Sequence, residues 1–468
     1  RKPKQYTNKM FFKPQPIHFT GIGGIGMSGL AEVLLEFGYR VTGSDLRTTP
    51  VTQRLVTLGA VIYEGHAAKN IDGANAIVVS SAVRPDNPEV VEARRRGIPV
   101  IPRGELLAEL MRLKYGIAVG GSHGKTTTTS MVAQILMHAG LDPTVVVGGL
   151  SATMRGSNAR VGKSPYLVVE SDESDGSFLK LAPILAVVTN IDREHLDHYA
   201  DLDTILKAFT EFVNKVPFYG AAVLCLDDQN VCRILPNINR RIITYGAHPD
   251  AHLRVTKSTA SHLAGDFHLV RGTEDLGCFR IQVPGAHNIL NATAAVAIAL
   301  ELEVPVDTIR EGLAQFSGVD RRFQIKGTER GVTVVDDYGH HPTEIEATLA
   351  AARACEYQHV HVLFQPHRYT RTQALMEEFA GAFHDADTVQ VLDIYAASES
   401  PIEGVTSEAL VQRMQHHGQR GAHHASSMNA GVEAVTSAAL SGDVIFTLGA
   451  GSVSQAGSSI LETLRSQN

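Results

Sequence analysis

The sequence is poor in cysteine and in long apolar runs. Four cysteines are spread over 468 residues, at 225, 232, 278 and 355, and no two form a C-x-x-C pair. This spacing fits a reducing compartment better than a disulfide framework, and we expect the four side chains to be buried as small apolar residues. No apolar stretch approaches the roughly 18 residues of a membrane span, and residues 1–16 lack the apolar segment of a signal peptide. We therefore predict a cytoplasmic protein without membrane insertion.

The sequence also lacks an excess of positive charge. The 42 Lys and Arg residues stand against 49 Asp and Glu residues, giving a net charge of −7. Such a chain repels a polyphosphate backbone, so we expect no nucleic-acid partner. Hydrophobic residues make up 44% and charged residues 19%, which is typical of a globular chain. The length predicts roughly two to four compact domains.

Short β-branched runs alternate with helix-length segments along most of the chain, the pattern of an α/β protein with parallel sheets. The pattern restarts after a glycine loop near 120 and again after 316, which predicts domains at 1–112, 113–317 and 318–468. Residues 253–283 alternate polar and apolar side chains, which predicts an antiparallel segment. Parallel strands are expected at 17–20, 41–44, 77–80, 100–101, 117–120, 145–147, 167–170, 185–190, 332–335, 360–364, 389–394 and 444–448.

A glycine-rich turn follows the first predicted strand. Gly21, Gly23 and Gly26 form the pattern G-x-G-x-x-G, and Asp45 ends the next strand about 20 residues further on, as a dinucleotide fingerprint requires. Taken alone, this pattern predicts an NAD-dependent oxidoreductase. Its physics is broader, because glycines let backbone amides approach any nucleotide diphosphate at a helix N-terminus.

A second glycine loop, GSHGKTT at 121–127, again joins a predicted strand to a helix. Lys125 and the hydroxyl of Thr126 stand where a phosphate-binding loop places the groups that meet the β- and γ-phosphates and Mg²⁺. The strict pattern requires glycine five residues before Gly124, where Val119 stands. We therefore expect a shorter phosphate cradle than in standard nucleoside triphosphatases.

Polar segments follow several later strands. ESDESD at 170–175 and NIDREHLD at 190–197 end two central strands, and DDYGHHP at 336–342 and QPHRYTR at 365–371 end two strands of the third series. Because the carboxyl ends of parallel strands share one edge, the acidic segments should meet Lys125 there. Carboxylates with phosphate oxygens suit Mg²⁺. Arg368 and Arg371 can bind a carboxylate or a phosphate in a bidentate manner.

Together these segments resemble the Mur ligase family of peptidoglycan synthesis. The resemblance implies a Rossmann-like N-terminal domain, a P-loop-type central ATPase domain and a Rossmann-like C-terminal domain. In this family the first glycine turn holds the UDP of a sugar substrate. Seven segments carry the likeness in order: GIGGIGMSG at 21–29, GSHGKTTTT at 121–129, ESDESD at 170–175, TNIDREHLD at 189–197, GAHNILNATAA at 285–295, DDYGHHPTE at 336–344 and FQPHRYTRT at 364–372.

The resemblance also implies site residues. ATP would be bound by Gly121, Ser122, His123, Gly124, Lys125, Thr126, Thr127, His287, Asn288, Asn291, Arg321 and Asp336. Mg²⁺ or Mn²⁺ would be held by Thr126, Glu170 and His195. The UDP-sugar would be bound by Gly23, Gly24, Ser44, Asp45, His66, Ser80 and Ser81, and the amino acid by Tyr338, His340, Arg368 and Arg371. Catalytic roles would fall to Lys125, His195, His340, Arg368 and Arg371.

The implied reaction is ATP-dependent amide-bond formation between two small molecules, UDP-N-acetylmuramate and L-alanine, through an acyl phosphate of the lactyl carboxylate. Because water destroys an acyl phosphate, we predict that the domains close around the substrates. Three alternatives stay open: a related ligase that adds a peptide or another amino acid, an NAD-dependent oxidoreductase, and a noncatalytic nucleotide-binding module. The sequence leaves the oligomeric state open.

Overall fold

The computed structural model describes residues 16–466, except 81, 152–156, 195–197, 262 and 398. Within this part the chain forms three α/β units, each built on its own sheet, which confirms the predicted three-domain α/β class. Two predicted site residues, Ser81 and His195, lie outside the described residues. None of the helices in the described ranges combines the length and the apolar character that a membrane span needs.

The first unit is an all-parallel sheet covered by helices. In chain order it contains β1 (Ile17–Thr20), α1 (Ile25–Glu36), β2 (Val41–Asp45), α2 (Pro50–Thr57), β3 (Val61–Glu64), β4 (Ala76–Val79), α3 (Pro88–Arg96), β5 (Val100–Pro102) and α4 (Arg103–Arg112). The strand order is β3-β2-β1-β4-β5. The order reverses beside β1, and the first glycine turn lies at that point, where open α/β sheets bind ligands.

The central unit has a ten-stranded sheet. Its elements are β6 (Tyr115–Gly120), α5 (Lys125–His138), β7 (Thr144–Ser151), β8 (Ser157–Arg160), β9 (Tyr166–Glu170), β10 (Leu185–Val188), α6 (Leu202–Asn214), β11 (Ala221–Cys225), α7 (Gln229–Ile234), β12 (Ile242–Gly246), β13 (Leu253–Ser261), β14 (Ala264–Arg271), β15 (Glu274–Ile281), α8 (Ala286–Glu301) and α9 (Val306–Ala314). The order is β15-β14-β13-β12-β11-β10-β6-β9-β7-β8. Strands β10 and β11 are buried along their whole length, as inner strands of a parallel sheet require. The predicted antiparallel segment is confirmed as β13–β15.

The third unit is a six-stranded sheet with helices. In chain order it contains β16 (Gln324–Glu329), β17 (Val332–Asp337), α10 (Pro342–Ala354), β18 (Val360–Phe364), α11 (Tyr369–Ala374), α12 (Met376–Gly381), β19 (Thr388–Val391), α13 (Ser407–His416), β20 (Ala422–His424), α14 (Met428–Ala438), β21 (Val444–Leu448) and α15 (Ala456–Ser466). The strand order is β16-β17-β21-β18-β19-β20, and β16 pairs with β17 in an antiparallel manner at one edge.

The apolar core joins the first two units but not the third. One buried cluster runs from Phe19 and Leu30 of the first unit to Ala118 and Phe212 of the central unit. Helix α1 packs on β7 and β8 across that boundary. The buried clusters of the third unit contain only its own residues. Among the described residues, no buried apolar cluster crosses from the third unit to the other two.

The cysteine prediction is only partly correct. All four thiols are free, and Cys225 and Cys355 are buried as expected. The prediction is wrong for Cys278, which is exposed, because it lies on β15 with its side chain on the face away from the core. Cys232 is partly buried.

Candidate active site

The second glycine loop leads from β6 into α5 and touches two other segments closely. Gly121 and Gly124 have φ angles of 128° and 80°. A Cβ on Gly121 would collide with the Thr189 hydroxyl, and one on Gly124 with the Asn291 side-chain oxygen. Both positions therefore require glycine for their backbone conformation and for space.

Lys125 folds back over its own loop at the start of α5. Its Nζ donates to the carbonyl oxygens of Gly121 (2.7 Å) and Ser122 (2.9 Å) and to Glu173 Oε1 (2.7 Å). Burial would lower the pKa of Lys125, but Glu173 and two further acidic side chains outweigh burial and raise it. The ammonium group is therefore charged and already held at the mouth of the loop.

Two of the three predicted metal ligands are in contact. Thr126 Oγ1 lies 2.9 Å from both carboxylate oxygens of Glu170, at the end of β9. The amide of Gly148 donates to Glu170 Oε2 at 2.6 Å. A hydroxyl and a carboxylate beside a phosphate loop are hard oxygen donors, so this donor set fits Mg²⁺ or Mn²⁺. The third predicted ligand, His195, is outside the described residues.

The segment after β10 fastens the glycine loop. The amide of Ser122 donates to the Asn190 carbonyl (3.0 Å), and the amide of His123 donates to Asn190 Oδ1 (2.8 Å). In return, Ser122 Oγ accepts from the amide of Asp192 at 2.8 Å. The acidic strand end thus meets the loop at the shared edge, as predicted.

The third unit reaches this loop through α10. Thr343 Oγ1 donates to Asp192 Oδ2 at 2.7 Å, while His123 Nε2 lies 3.0 Å from the same oxygen. Glu344 Oε1 lies 3.5 Å from His123 Nδ1 and 3.2 Å from Arg322 Nη1. Helix α10 is therefore tied to the phosphate loop by hydrogen bonds and charge rather than by apolar packing.

These contacts shift the pKa of both partners. Burial would lower the pKa of His123, but hydrogen bonds to Asp192 and Glu344 raise it to about 10. Burial would raise the pKa of Glu344, but the charges of His123 and Arg322 hold it well below its usual range. At neutral pH the boundary therefore pairs an imidazolium ion with carboxylates.

A cavity of about 570 Å³ lies between the loop, α8 and α10. Burial, helped by the charge of Arg322, lowers the pKa of His287 to about 4, so its ring is neutral there. Asn288 and Asn291 are buried on the same helix, with Asn291 Nδ2 donating to Asn288 Oδ1 at 3.2 Å. Seven predicted nucleotide-binding residues line this cavity: His123, Gly124, Thr126, Thr127, His287, Asn288 and Asn291.

Arg321 and Asp336 form a fixed pair at the start of the third unit. Arg321 Nε donates to Asp336 Oδ2 at 3.1 Å, and its Nη2 donates to the Gly449 carbonyl at 2.6 Å. The guanidinium lies over the ring of Tyr338, 4.9 Å from its centre. Thr447 Oγ1 donates to Asp336 Oδ1 at 2.7 Å. The pair joins β17, β21 and the segment between α9 and β16 into one wall of the site.

A larger cavity of about 1140 Å³ opens between all three units. It brings together parts of the first glycine turn, the phosphate loop and the arginine motif, which are far apart in sequence. Its lining includes Gly26 and Arg103 of the first unit, Lys125, Thr126 and Glu170 of the central unit, and Tyr338, His340, Arg368 and Arg371 of the third.

The third-unit wall of this cavity is cationic around a neutral imidazole. Burial, with the charge of Arg371, lowers the pKa of His340 to about 3. Arg371 Nη1 lies 3.2 Å from His367 Nδ1, and His367 stacks on Tyr395 with ring centres 5.5 Å apart. At neutral pH His340 is therefore a hydrogen-bonding group beside the arginines rather than a further cation.

In the first unit, the Asp45 carboxylate is hydrogen-bonded to the glycine turn. Asp45 Oδ2 accepts from the amide of Gly23 at 2.8 Å, and Oδ1 accepts from the amide of Leu46 at 2.8 Å. Gly26 is the part of the turn that reaches the larger cavity. None of the described residues predicted for the UDP-sugar lines either of the two cavities: Gly23, Gly24, Ser44, Asp45, His66 and Ser80.

Sequence reasoning missed several charged residues of the site. Glu89 is buried and bonded to Ser44, although an acidic residue in the first turn of a helix usually faces solvent. Glu173 binds Lys125, and Asp192 and Glu344 form the boundary between units. Glu173, Asp192 and Glu344 lie inside the motifs quoted above, so the motifs could have marked them as site residues. Glu89 had no such signal, because its partners come from distant strands.

A phosphate loop with hard oxygen ligands, a separate Rossmann-like unit and a third α/β unit around one cavity define a multidomain enzyme that uses a nucleoside triphosphate. The chain matches three family models: "Mur ligase family, catalytic domain" over 16–115, "Mur ligase middle domain" over 119–299 and "Mur ligase, glutamate ligase domain" over 321–451. The chain belongs to the Mur ligase family. It is an ATP-dependent ligase that forms amide bonds, and this replaces the oxidoreductase interpretation of the first turn.

Relatives with full-length similarity agree with this assignment. The chain is 66% identical over 466 residues to a UDP-N-acetylmuramate–L-alanine ligase of Solibacter usitatus, covering 100% of this chain and 99% of the relative. It is 57% identical over 459 residues to the ligase of that name from Acidobacterium capsulatum, covering 98% and 99%. The crystal structure of a UDP-N-acetylmuramate–alanine ligase from Thermotoga maritima matches with a TM-score of 0.81 at 29% identity, covering 97% and 100%.

Proposed function

We propose that the protein joins L-alanine to the lactyl carboxylate of UDP-N-acetylmuramate, converting ATP to ADP and phosphate, in the synthesis of peptidoglycan precursors. One observation carries the proposal: a single cavity is lined by Gly26, the last glycine of the first turn, by Lys125 and by the Arg368–Arg371 pair. A sugar acid, a triphosphate and an amino acid can therefore meet there. The names of the full-length relatives support the choice of substrates.

ATP is proposed to bind along the glycine loop with its base in the smaller cavity. The amides of Ser122 and His123 already donate to Asn190, so the amides of 124–127 and the ammonium of Lys125 contact the phosphates. His287, Asn288 and Asn291 surround the base. Arg321 and Asp336 bring the third unit onto the nucleotide. Thr126 and Glu170, with His195, would hold Mg²⁺ or Mn²⁺, which supplies neutralisation of charge on the phosphate oxygens.

The sugar nucleotide and the amino acid are proposed to bind on opposite walls. Gly23, Gly24, Ser44, Asp45, His66, Ser80 and Ser81 are assigned to the UDP-sugar. Arg368 and Arg371 bind the carboxylate of alanine beside Tyr338 and His340. The boundaries proposed for the three domains remain 1–112, 113–317 and 318–468. Because ATP and UDP-sugars are made in the cytoplasm, we propose that compartment.

The proposed reaction has two covalent steps. The lactyl carboxylate attacks the γ-phosphorus of ATP, the bond to the β-phosphate oxygen breaks, and ADP leaves from an acyl phosphate. Lys125 disperses the charge that builds on the transferred group. Alanine gives up one ammonium proton to solvent before the site closes, and its amine then attacks the acyl carbon. The tetrahedral adduct passes a second N–H proton to a phosphate oxygen, the C–O bond to that phosphate breaks, and phosphate leaves. With its pKa of about 3, His340 orients the amine by accepting a hydrogen bond rather than by storing the proton.

The proposal is tested by ADP release with UDP-N-acetylmuramate and a panel of amino acids. We expect release to require alanine, and Lys125→Ala to lower kcat by at least about 100-fold. Lys257→Ala, at an exposed lysine of β13, is the matched control and should leave the rate unchanged. Preference for a peptide or for another amino acid would favour the related ligase instead.

A further inference from the structure

Glu89, near the start of α3, is a buried carboxylate beneath the first unit's ligand edge. Its side chain has no exposed surface. Oε2 accepts hydrogen bonds from Thr20 Oγ1 and Ser44 Oγ, both at 2.7 Å, and lies 3.2 Å from His18 Nε2. Oε1 accepts from Asn70 Nδ2 at 2.8 Å. Burial would raise the pKa of Glu89, but these bonds lower it to about 2, so the group is ionised.

The hydrogen bonds fix a direction from His66 through Ser44 to Glu89. An ionised carboxylate can only accept, so the single proton of the Ser44 hydroxyl points to Glu89. Ser44 Oγ must then accept from His66 Nδ1, which lies 2.8 Å away. Nδ1 therefore carries a proton, and in the singly protonated ring the lone pair is then on Nε2.

His66 is the member of this chain that reaches solvent. Its side chain is 18% exposed, while Ser44 and Glu89 are fully buried. It follows the end of β3 at the same sheet edge as Gly23 and Asp45. Among the residues that the structure describes, His66 Nε2 has no hydrogen-bond partner, so it is available to a ligand.

We propose that Glu89 is a positioning residue for the sugar nucleotide: acting through Ser44, it holds His66 with Nδ1 protonated, so that Nε2 accepts a hydrogen bond from a hydroxyl or N–H group of the bound UDP-sugar. This inference rests on the proposed function of the first unit. Glu89 itself does not touch the substrate. Its effect should appear in substrate binding rather than in the chemical step.

The tautomer can be measured without any substrate. In the ligand-free, full-length protein labelled with ¹⁵N-histidine, the His66 signals are identified by their loss in His66→Gln. We expect the Nδ1-protonated form in the wild type and a shift toward the Nε2-protonated form in Glu89→Gln. A wild-type ring protonated mainly on Nε2, or a tautomer unchanged by Glu89→Gln, would overturn the proposal.

Kinetics then separate positioning from general stability. We expect Glu89→Gln to raise KM for UDP-N-acetylmuramate about tenfold, with kcat and KM for ATP changed less than about twofold. Ser44→Ala should reproduce the effect if Glu89→Gln folds poorly, and the double variant should be no worse than either single change. Glu92→Gln is the control, because this half-buried carboxylate on the same helix pairs with Arg95 and Arg96 and has no contact with Ser44 among the described residues.

The outcomes distinguish this inference from the proposed function. Equal KM values for Glu89→Gln and Glu92→Gln, or additive effects of Glu89→Gln and Ser44→Ala, would contradict positioning through Ser44. If the wild type released no ADP with this sugar nucleotide, the proposed function would fail. The ¹⁵N measurement would still decide the role of Glu89.

Discussion

At the scale of single residues, the site consists of charges that hold one another in place before substrates bind. Lys125 is held by two carbonyls of its loop and by Glu173, and Thr126 is held by Glu170. A phosphate that enters therefore replaces existing oxygen partners and orders few side chains. Such preorganisation lowers the entropic cost of binding and leaves the groups aimed at the charge that develops in the reaction.

Removing the Thr126 hydroxyl tests the proposed metal ligand. Thr126→Val keeps the shape of the side chain but deletes the oxygen beside Glu170. We expect kcat to fall about 100-fold and the Mg²⁺ concentration for half-activity to rise. Thr128→Val is the control, because the buried Thr128 hydroxyl on the same helix has no hydrogen-bond partner within the described part of the chain. A Mg²⁺ titration that is the same for both variants would contradict the assignment.

Glu89 also makes a prediction about acid stability. Its pKa is about 2 in the folded protein and near 4.5 otherwise, so the unfolded chain binds the proton more readily. The stabilisation is fully present above pH 4.5 and is lost as the pH falls toward 2, by up to about 3 kcal/mol. Urea unfolding between pH 6 and pH 3 should therefore show a steeper loss for the wild type than for Glu89→Gln. Parallel curves would refute this.

At the scale of elements, the loop between β6 and α5 determines where the nucleotide can lie. Its glycines allow the backbone to pass close to the segment after β10 and to α8. The loop is thus fixed from two sides before the helix begins. Strand β6 and helix α5 orient the loop. The close approach of its glycines to the two neighbouring segments fixes where phosphate can bind.

Gly124→Ala should disable the loop. The residue has φ of 80° and faces the Asn291 side chain, so the added methyl group is strained and collides. We expect ATP binding, measured by calorimetry, to weaken at least about tenfold. Gly140→Ala tests the backbone alone, because Gly140 has φ of 73° with open space around it. It should cost stability of about 1 kcal/mol but leave ATP binding intact.

The elements that sequence could predict are those with a local cause. Strand β10 is apolar and buried along its length, β1 is buried throughout, and β6 is buried after Tyr115. Glycine turns mark where the helices after β1 and β6 begin. Strand β3 was missed because Val61 and Tyr63 on this sheet edge are exposed, so no apolar pattern marks it. The contacts of Glu89 were also missed, since the packing of separate strands brings its partners together. The phosphate loop could be predicted from a sequence motif. The contacts of Glu344 with His123 and Arg322 could not, because they form only when the third unit packs on the central unit.

At the scale of the whole molecule, two units share a core and the third is attached by polar contacts. Apolar packing makes the first and central units one body. The third unit meets them through Asp192, Thr343, Glu344 and His123. Separating a polar boundary requires less free energy than separating a shared apolar core. We therefore expect the third unit to move when substrates bind.

Weakening the Glu344 contacts should uncouple the third unit. Glu344→Gln removes the charge that faces His123 and Arg322, so closure should be less favourable. Small-angle scattering should show compaction of the wild type with ATP analogue, Mg²⁺ and UDP-N-acetylmuramate, and less in the variant. Glu346→Gln, exposed on the same helix, should behave as the wild type. No compaction of the wild type would refute closure.

The central claim is that one cavity holds the sugar acid of one nucleotide against the triphosphate of another. A crystal structure with UDP-N-acetylmuramate, a nonhydrolysable ATP analogue and Mg²⁺ tests it most directly. The account predicts a lactyl carboxylate oxygen about 3–3.5 Å from the γ-phosphorus, with Lys125 Nζ on the phosphate oxygens. A triphosphate bound far from the lactyl group, or Lys125 still bonded only to its loop and Glu173, would contradict it.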